Sequence, residues 1–374
     1  MKILVNHLLE PANRISGISK YLFSLLAELV KNGQHEYVLL TSWSEAHLPA
    51  ALRTPKLTVV SVPYIESTPK NLLRQLFLLP KIMKQHQADI EFNCNPLGGF
   101  WGSWPRVTVT HDLYFNVSPT SYKPHHRLWW KLFYPLTCRS ASSIICVSEN
   151  TRQDLLKYFP QFADKTTVIT EGPCLQVPQD VDSDLEKREN FGLFVANVSP
   201  NKGADTLVKA LGLLHGCQRD INVKHVGADN EGRFAQLVAM TPDGVAPVSI
   251  GYQSDADLSA LYRRARFLAF PSRYEGFGLP VIEAQAHGTP VIASDIPVLR
   301  EVAGEGAVYF PPGDAAELAR HMYALLNNDS LFSELSAKAL QNQKRFSWHK
   351  AARLTEQVFT QLGCAKVAGQ SQLN

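Results

Sequence analysis

The chain has 374 residues, of which 45% are hydrophobic and 19% are charged. This composition is typical of a globular protein, and the length suits two domains better than one. The net charge of +3 conceals an asymmetry, because about 18 Lys and Arg oppose 11 Asp and Glu through residue 170, and about 19 oppose 23 thereafter. No apolar run reaches the roughly 18 residues of a membrane-spanning helix, and the N-terminus lacks a secretory signal pattern. We therefore expect a cytoplasmic protein whose basic first half faces an anionic partner.

Short apolar segments alternate with amphipathic helical segments, which is the pattern of repeated βαβ units. In the first half, strands are predicted at residues 2–5, 37–41, 57–62, 90–92, 107–110, 143–147 and 167–169, with helices that include 19–31 and 151–157. In the second half, strands are predicted at 193–196, 222–226, 248–250, 267–270 and 290–293, and helices at 204–214, 231–240, 255–264, 280–287 and 315–327. A final helix is predicted from Trp348 to about residue 362.

The region between the two arrays has the composition of a linker, with prolines and the polar run DVDSDLEKREN. The sequence therefore predicts an α/β protein with two Rossmann-like domains, at residues 1–170 and 191–346, joined by a linker at 171–190. Residues 347–374 are predicted to form a helix that packs on the first domain, followed by a tail. Because ligands of such folds bind at the carboxyl ends of the strands, we expect a binding cleft between the two domains.

The clearest chemical signal is PSRYEGFGLPVIE at residues 271–283. An apolar strand precedes this segment, and Pro280 stands where a helix would have its first turn. A glycine loop that leads into a helix presents free backbone N–H groups and a partial positive charge, which suit a pyrophosphate. Glu275 and Glu283 bracket the loop and can accept hydrogen bonds from sugar and ribose hydroxyls. Taken alone, such a loop is equally typical of an ordinary tight turn with two surface carboxylates.

A longer segment, YEGFGLPVIEAQAHGTPVIASDIPVLREV, resembles the Glu-x7-Glu signature of family 4 retaining glycosyltransferases, which have the GT-B fold. Other segments resemble the same family in the same order: GISKYLFSLLAEL (17–29), VTVTHDL (107–113), ICVSENTRQDLLKYF (145–159), LFVANVSPNKGADTLVKAL (193–211) and IGYQSDADLSALYRRARFLAFPS (250–272). The resemblance covers most of the chain. It implies an α/β GT-B fold, in which two Rossmann-like domains face each other across a cleft.

The resemblance also implies roles for single residues. The candidate catalytic residues are Glu275, which would support the donor sugar, His111, which would hydrogen-bond that sugar near its reacting carbon, and Lys202, which would neutralise the leaving diphosphate. The candidate donor-binding residues are Gly17 and Asn197 near the diphosphate, Tyr252 beside the base, Glu283 on the ribose, and the loop residues Gly276, Phe277, Gly278 and Leu279. Many family members carry an Arg at the position of Asn197, so this chain lacks one charge that would bind phosphate.

The reaction implied by the resemblance moves a hexose from a nucleoside diphosphate sugar to a hydroxyl of a glycan or lipid-linked sugar, with retention at the anomeric carbon, in polysaccharide biosynthesis. The overall likeness favours bacterial mannosyltransferases, so GDP-mannose is the first expected donor and a UDP-hexose is the alternative. The Asn197 departure leaves open a third possibility, an inactive homologue that binds a nucleotide sugar.

Two Asp-x-Asp sequences, Asp182-Ser-Asp184 and Asp255-Ala-Asp257, could suggest metal binding. The first falls in the predicted linker, and the second would supply the N-cap and first-turn acids of a helix. Because a helix N-terminus and Lys202 can together offset the charge of a diphosphate, we expect no cofactor and no required metal.

One segment of the basic half, YKPHHRLWWKLFY at residues 122–134, interleaves Lys123, Arg127 and Lys131 with Trp129 and Trp130. That composition suits the surface of an anionic bilayer. A second candidate is KNLLRQLFLLPKIMK at 70–84, which Pro80 is expected to interrupt. The alternative is two helices whose apolar faces are core. We expect peripheral association with the inner face of the membrane and, since no nucleic-acid-binding module is recognisable, no nucleic-acid partner.

Overall fold

A computed structural model describes residues 1–8, 16–95, 97–119, 124–175, 188–229, 232–241 and 245–371. The chain forms two compact units. The first consists of Met1–Glu171 together with Ser347–Asn374, and the second consists of Gly172–Phe346. Each unit is built on one parallel sheet, so the expected α/β class is confirmed.

The first unit contains a seven-stranded parallel sheet in the order β3-β2-β1-β4-β5-β6-β7. Its strands are β1 (Lys2–His7), β2 (Glu36–Thr41), β3 (Leu57–Ser61), β4 (Ile90–Asn93), β5 (Arg106–Thr110), β6 (Ser143–Cys146) and β7 (Thr166–Val168). The helices of the first unit that precede residue 172 are α1 (Gly17–Asn32), α2 (Thr68–His86), α3 (Tyr114–Val117), α4 (Pro124–Ser140) and α5 (Glu149–Tyr158). The central strands β4 and β5 are buried along their whole length, as expected for a parallel sheet that is covered on both faces.

The second unit contains a six-stranded parallel sheet in the order β10-β9-β8-β11-β12-β13. Its strands are β8 (Gly192–Val195), β9 (Val223–Val226), β10 (Val248–Ser249), β11 (Phe267–Phe270), β12 (Val291–Ser294) and β13 (Ala307–Phe310). Its helices are α6 (Ala204–Gly216), α7 (Arg233–Ala239), α8 (Asp255–Arg264), α9 (Leu279–Ala286), α10 (Pro297–Ala303), α11 (Ala315–Asn327) and α12 (Asp329–Gln343). A core of buried apolar side chains joins α6, α11 and α12 to the sheet.

The last helix, α13 (Trp348–Ser371), packs on α1 in the first unit. Gly33 ends α1 where the two helices meet, and a Cβ at this position would collide with Leu29 and Glu356. Phe359 lies edge-on to Phe92 of β4 at a centroid distance of 5.3 Å. The end of the chain therefore completes the core of the unit in which the chain begins.

The predicted elements lie on observed ones, with end positions that mostly differ by one or two residues. Several details differ, and the short helices α3 and α10 are among the elements that the sequence did not predict. Pro80 does not interrupt α2, because a proline inside a helix can remove one backbone hydrogen bond without ending the helix. Ser254, and not Asp255, caps α8, since its hydroxyl accepts the N–H of Asp257 at 3.1 Å. The short edge strand β13 and the largely polar α12 were not predicted. Among the described residues, no helix is long and apolar enough to cross a bilayer.

A buried histidine in the first unit makes this unit sensitive to acid. His7 Nδ1 lies 3.0 Å from Thr41 Oγ1, and Nε2 lies 3.2 Å from Ser19 Oγ. Burial lowers the pKa of His7 from 6.5 to about 3. Below about pH 6.5 the unfolded chain binds a proton at His7, whereas the folded chain does not bind it until about pH 3, so falling pH favours unfolding across this window. Above about pH 6.5, His7 is neutral in both states and contributes no pH dependence.

We expect His7→Gln to flatten the pH dependence of the unfolding free energy by up to about 1.4 kcal/mol per pH unit between about pH 6 and pH 4. All six tryptophans belong to the first unit, so urea unfolding followed by tryptophan fluorescence reports this unit alone. Exposed His47→Gln is the control and should keep the wild-type slope. An unchanged slope in His7→Gln would exclude His7 as the source of the acid sensitivity.

Candidate active site

The predicted glycine loop connects β11 to α9 in the second unit. Gly278 is the N-cap of α9 with a φ of +100°, a left-handed conformation that suits glycine. Pro280 lies in the first turn, where the absence of its N–H has no cost. Glu275 is 9% exposed in the loop, and Glu283 lies one turn into the helix. The motif thus has the predicted strand–loop–helix context, and the glycine loop ends at a helix N-terminus.

A turn of 3₁₀ helix, Pro200–Lys202, carries Lys202 after β8. Gly203 follows with a φ of +70°, and a Cβ at this position would collide with the carbonyl of Pro271. The turn therefore packs directly on the start of the Glu275 loop. Lys202 Nζ donates to Glu275 Oε1 at 2.6 Å, and the two side chains are 22% and 10% exposed. Two of the three candidate catalytic residues thus form an ion pair.

Arg273, which was not identified from the sequence, ties the Lys202 turn to the Glu275 loop. Its guanidinium donates to both carboxylate oxygens of Asp205 at 2.7 and 2.6 Å and to the carbonyl of Pro200 at 3.0 Å. Its backbone N–H donates to the carbonyl of Asn201 at 2.7 Å. Burial acts to raise the pKa of Asp205, but the Arg273 guanidinium lowers it, and the pKa lies below its usual range. The sequence contains a signal for this contact: Arg273 lies two positions before Glu275, and Asp205 lies three positions after Lys202.

Asn197 is exposed, and the side chains of Ser199 and Asn201 link it to the loop that carries Glu275. The Ser199 hydroxyl lies 2.8 Å from Oδ1 of Asn197 and 2.7 Å from Oδ1 of Asn201. Asn201 Nδ2 donates to the carbonyl of Tyr274 at 3.4 Å. Asn197 is therefore connected to the residue before Glu275 without contributing a charge.

Glu283 is 3% exposed and is held by its neighbours. Its Oε2 accepts from the Tyr262 hydroxyl at 3.5 Å, and its backbone carbonyl accepts from His287 Nδ1 at 2.7 Å. Burial, and then the Glu283 carboxylate, raises the pKa of Tyr262 well above its ordinary value. Tyr262 therefore remains a hydrogen-bond donor to Glu283 at neutral pH.

The other donor-binding candidates of the second unit differ in exposure. Tyr252 is 67% exposed, whereas Gly276 and Leu279 are partly buried. Phe277 is 4% exposed and lies edge-on to Phe346 at 5.5 Å. Its ring thus anchors the loop in the core and does not face outward.

Gly17 begins α1 in the first unit, and the Ser16 hydroxyl caps this helix by accepting the N–H of Ser19 at 3.1 Å. Gly17 is exposed, and none of the described residues lies within 4 Å of a Cβ placed on it. The space beside this helix N-terminus is compatible with the predicted close approach of a diphosphate.

His111 follows β5 directly and its side chain is 14% exposed. Nε2 lies 2.9 Å from the carbonyl oxygen of Cys94, and Nδ1 lies 3.8 Å from Oε1 of Glu171. Burial raises the pKa of Glu171, and the neighbouring His111 opposes that rise. Composition had placed Glu171 in the linker. Glu171 lies three residues beyond β7, at the same carboxyl edge of the sheet as His111. That position was the signal that it could lie near His111.

One of the two Asp-x-Asp sequences lies at the start of a helix, and the other lies outside the described residues. Asp255 and Asp257 lie in the first turn of α8, where acids complement the helix dipole. Asp182 and Asp184 lie outside the described residues. Within the described part of the chain, no three His, Cys, Asp or Glu side chains are grouped so that they could hold a metal ion.

The two segments considered for membrane contact form α2 and α4. Trp129 stacks on Phe133 at 4.5 Å and Trp130 on Phe115 at 4.7 Å, and both tryptophans are partly buried. Lys123 lies outside the described residues. The exposed large apolar side chains of the two helices are instead Leu73, Phe77, Leu128, Leu132 and Leu136.

The chain has two α/β units, each built on a parallel sheet, and a Lys–Glu pair at a glycine loop that precedes a helix. These are features of the GT-B class of glycosyltransferases. Residues 15–173 match the family model "Glycosyltransferase Family 4", and residues 178–346 match the model "Glycosyl transferases group 1". The chain belongs to this family of glycosyltransferases.

The chain is 29% identical over 263 residues to O-antigen chain mannosyltransferase B from Escherichia coli, a match that covers 67% of this chain and 68% of the relative. It is 27% identical over 279 residues to the serotype-specific mannosyltransferase WbdA from Escherichia coli, which covers 69% of this chain but only 34% of WbdA. Sucrose-phosphate synthase from Thermosynechococcus elongatus has a TM-score of 0.79 at 21% identity, over 97% of this chain and 99% of that chain. This similarity shows a shared fold.

Replacing each member of the ion pair should separate nucleotide binding from turnover. Lys202→Ala removes a cation next to the α9 N-terminus, so we expect nucleoside diphosphate affinity to fall by about tenfold or more and kcat to fall by about 10²–10³-fold. Glu275→Gln releases Lys202 from its ion pair, so affinity should stay constant or rise while kcat falls by a similar factor. Titration calorimetry measures the affinity, and transfer from a labelled donor measures kcat.

Exposed Lys209→Ala on α6 is the matched control, and it should change neither quantity. If Glu275→Gln loses as much nucleotide affinity as Lys202→Ala, the assignment of Lys202 to the diphosphate is wrong.

Proposed function

We propose that the protein transfers a hexose, with mannose from GDP-mannose as the first candidate, to a hydroxyl group of a glycan or lipid-linked sugar, and that the anomeric configuration is retained. The observation that carries this proposal is the Lys202–Glu275 ion pair of 2.6 Å beside the loop that opens α9. Both Escherichia coli relatives are mannosyltransferases, which favours mannose as the transferred sugar.

In this proposal the donor diphosphate binds at the first turn of α9 and takes Lys202 as its counter-ion. The helix N-terminus carries about half a positive charge, which suits a diphosphate. Lys202 is partly exposed, and its partner in the structure is a single carboxylate. Because a diphosphate carries more negative charge than one carboxylate, Lys202 exchanges partners when the donor binds. That exchange leaves Glu275 available to the donor sugar.

The proposed transfer step is a displacement on one face of the sugar. The bond between C1 and the diphosphate oxygen breaks and its electron pair leaves with the diphosphate, while the acceptor oxygen forms a bond to C1 on the same face. The acceptor proton passes to the leaving phosphate oxygen, so the step needs no covalent intermediate on the protein. Lys202 stabilises the negative charge on the leaving group, and Glu275 stabilises the positive charge that develops on the sugar ring.

The other candidates complete the donor site in this proposal. His111 hydrogen-bonds the sugar, Gly17 and Asn197 lie along the diphosphate, Glu283 holds the ribose and Tyr252 flanks the base. We also propose that no metal ion is required, because Lys202 and the α9 N-terminus provide positive charge of the kind that a divalent cation supplies at other phosphate sites.

A thermal-shift panel tests the donor. In the presence of EDTA, GDP at about 100 times its Kd should stabilise the protein by about 2.7 kcal/mol, whereas UDP and ADP at the same concentration should stabilise it much less. GMP is the control for the diphosphate contacts and should also give a smaller shift. Hexose transfer from GDP-mannose, with the product configuration read by NMR, tests the reaction.

Three other outcomes of the binding and transfer experiments would change the proposal. A shift selective for UDP would replace GDP-mannose by a UDP-hexose. Binding without transfer or hydrolysis would indicate the inactive homologue that Asn197 leaves open. Loss of all activity in EDTA, restored by Mg²⁺ or Mn²⁺, would contradict the metal-free proposal.

We further propose that the acceptor is lipid-linked and that α2 and α4 contact an anionic membrane. Neither helix contains Asp or Glu, and their cations are Lys70, Arg74, Lys81, Lys84, Arg127, Lys131 and Arg139. Leu73 and Phe77 of α2 are 57% and 74% exposed, and Leu128 and Leu132 of α4 are 58% and 53% exposed. An apolar groove of about 320 Å³ is lined by residues of both helices, including Lys70 at its rim. Exposed apolar side chains among cations suit the interface of an anionic bilayer.

The full chain should co-sediment with phosphatidylglycerol vesicles at low salt and be released at high salt, because salt screens the attraction. Phosphatidylcholine vesicles should bind much less. Each cation near an anionic surface contributes about 1 kcal/mol, so the double change Lys70→Glu with Lys131→Glu should weaken binding by more than about tenfold. The matched double change Lys209→Glu with Lys344→Glu, at exposed positions of the second unit, should have little effect. Wild-type protein that ignores anionic vesicles at low salt would favour a soluble acceptor.

A further inference from the structure

His111 is enclosed in the first unit by groups that the proposed transfer step does not use. These groups are the Cys94 carbonyl, the Glu171 carboxyl and the ring of Tyr21. Cys94 lies just beyond β4, Glu171 beyond β7 and Tyr21 in α1. Three separate elements therefore fix one imidazole ring.

The contact with Cys94 determines which ring nitrogen carries a proton. A carbonyl oxygen only accepts hydrogen bonds, so at 2.9 Å His111 Nε2 must be the donor. Nδ1 is then the nitrogen that faces Glu171 Oε1 at 3.8 Å. Nδ1 can accept a hydrogen bond from a neutral Glu171 or, in the imidazolium, donate one to the carboxylate. The distance exceeds that of a direct hydrogen bond, and such contacts are often long before substrate binds and shorten in the complex.

The side chains around His111 are buried and closely packed. Glu171 is 4% exposed, and among the described residues its second oxygen, Oε2, has no hydrogen-bond partner. The Tyr21 ring lies edge-on to His111 at 4.8 Å and edge-on to Trp348 at 5.4 Å, so it is wedged between the two. A buried carboxyl that lacks a cation partner costs stability. The contact of Glu171 Oε1 with His111 Nδ1 gives this buried carboxyl a role in orienting the ring.

We propose that Glu171 is a positioning residue, which acts through Nδ1 to fix the orientation and the protonated nitrogen of His111 for its contact with the donor sugar. This inference rests on the proposed function. The diphosphate contacts belong to other residues, so loss of the Glu171 carboxyl should affect the transfer step and leave donor binding largely intact.

A mutant cycle tests this role. Glu171→Ala should lower kcat by about tenfold or more, because a misplaced contact to the reacting sugar is costly, while KM for the donor changes by less than about threefold. Glu171→Gln keeps a side chain that can donate to Nδ1 and should recover part of that loss. In a His111→Gln background, Glu171→Ala should lower kcat no further, because the residue through which it acts is gone. Glu66→Ala, at an exposed position of the same unit, is the matched control and should leave kcat unchanged.

A second measurement needs no donor, so it separates this inference from the proposed function. In a long-range ¹H–¹⁵N spectrum, with His111 assigned from the His111→Gln variant, Glu171→Ala should move the Nδ1 signal towards that of a nitrogen without a hydrogen bond. Glu66→Ala should not move it. An unmoved Nδ1 signal, or additive losses of kcat in the cycle, would overturn the role of Glu171. Should Glu171→Ala fail to fold, Glu171→Asp, which shortens the reach by one methylene, takes its place in both measurements.

Discussion

The Lys202–Glu275 ion pair depends on how closely two loops of the second unit approach each other. Gly203 has no side chain, so the Lys202 turn can lie against the carbonyl of Pro271. A larger residue at 203 would need a left-handed backbone and would push the turn away from the Glu275 loop. The 2.6 Å ion pair between Lys202 and Glu275 follows from that one close contact. Arg273 and Asp205 then hold the two loops together.

The sequence could predict the chemistry of this site but not how it is assembled. Glu275, Gly278 and Glu283 lie within one short segment, where strand, loop and helix follow from local patterns alone. Lys202 lies more remote along the chain, and it meets Glu275 because β8 and β11 are neighbours in the sheet. Strand order is a long-range property that no local pattern of residues reveals.

The same limits explain what was missed or misplaced in the first unit. Composition showed that α4 mixes cations with aromatic residues, but it could not show which helix face is buried. Trp129 and Trp130 are partly buried by their stacking on Phe133 and Phe115, while Leu128, Leu132 and Leu136, spaced four residues apart, form the exposed stripe. Composition does not identify Glu171, because the polar, proline-containing stretch that begins at this residue has the composition of a linker. Its buried position depends on contact with His111, which is distant in the chain.

The first unit is discontinuous in sequence, and this has a consequence for how the protein can be altered. The second unit is one uninterrupted segment inserted between Glu171 and Ser347. Within the first unit, the two ends of the insertion are close, because Glu171 contacts His111, His111 packs on Tyr21, and Tyr21 packs on Trp348. Domain insertions are tolerated where the chain ends lie near each other. A chimera with a relative can therefore exchange the whole second unit as a single continuous segment. A fragment that stops at residue 171 would instead lack α13 and expose the apolar surface that Phe359 covers on Phe92.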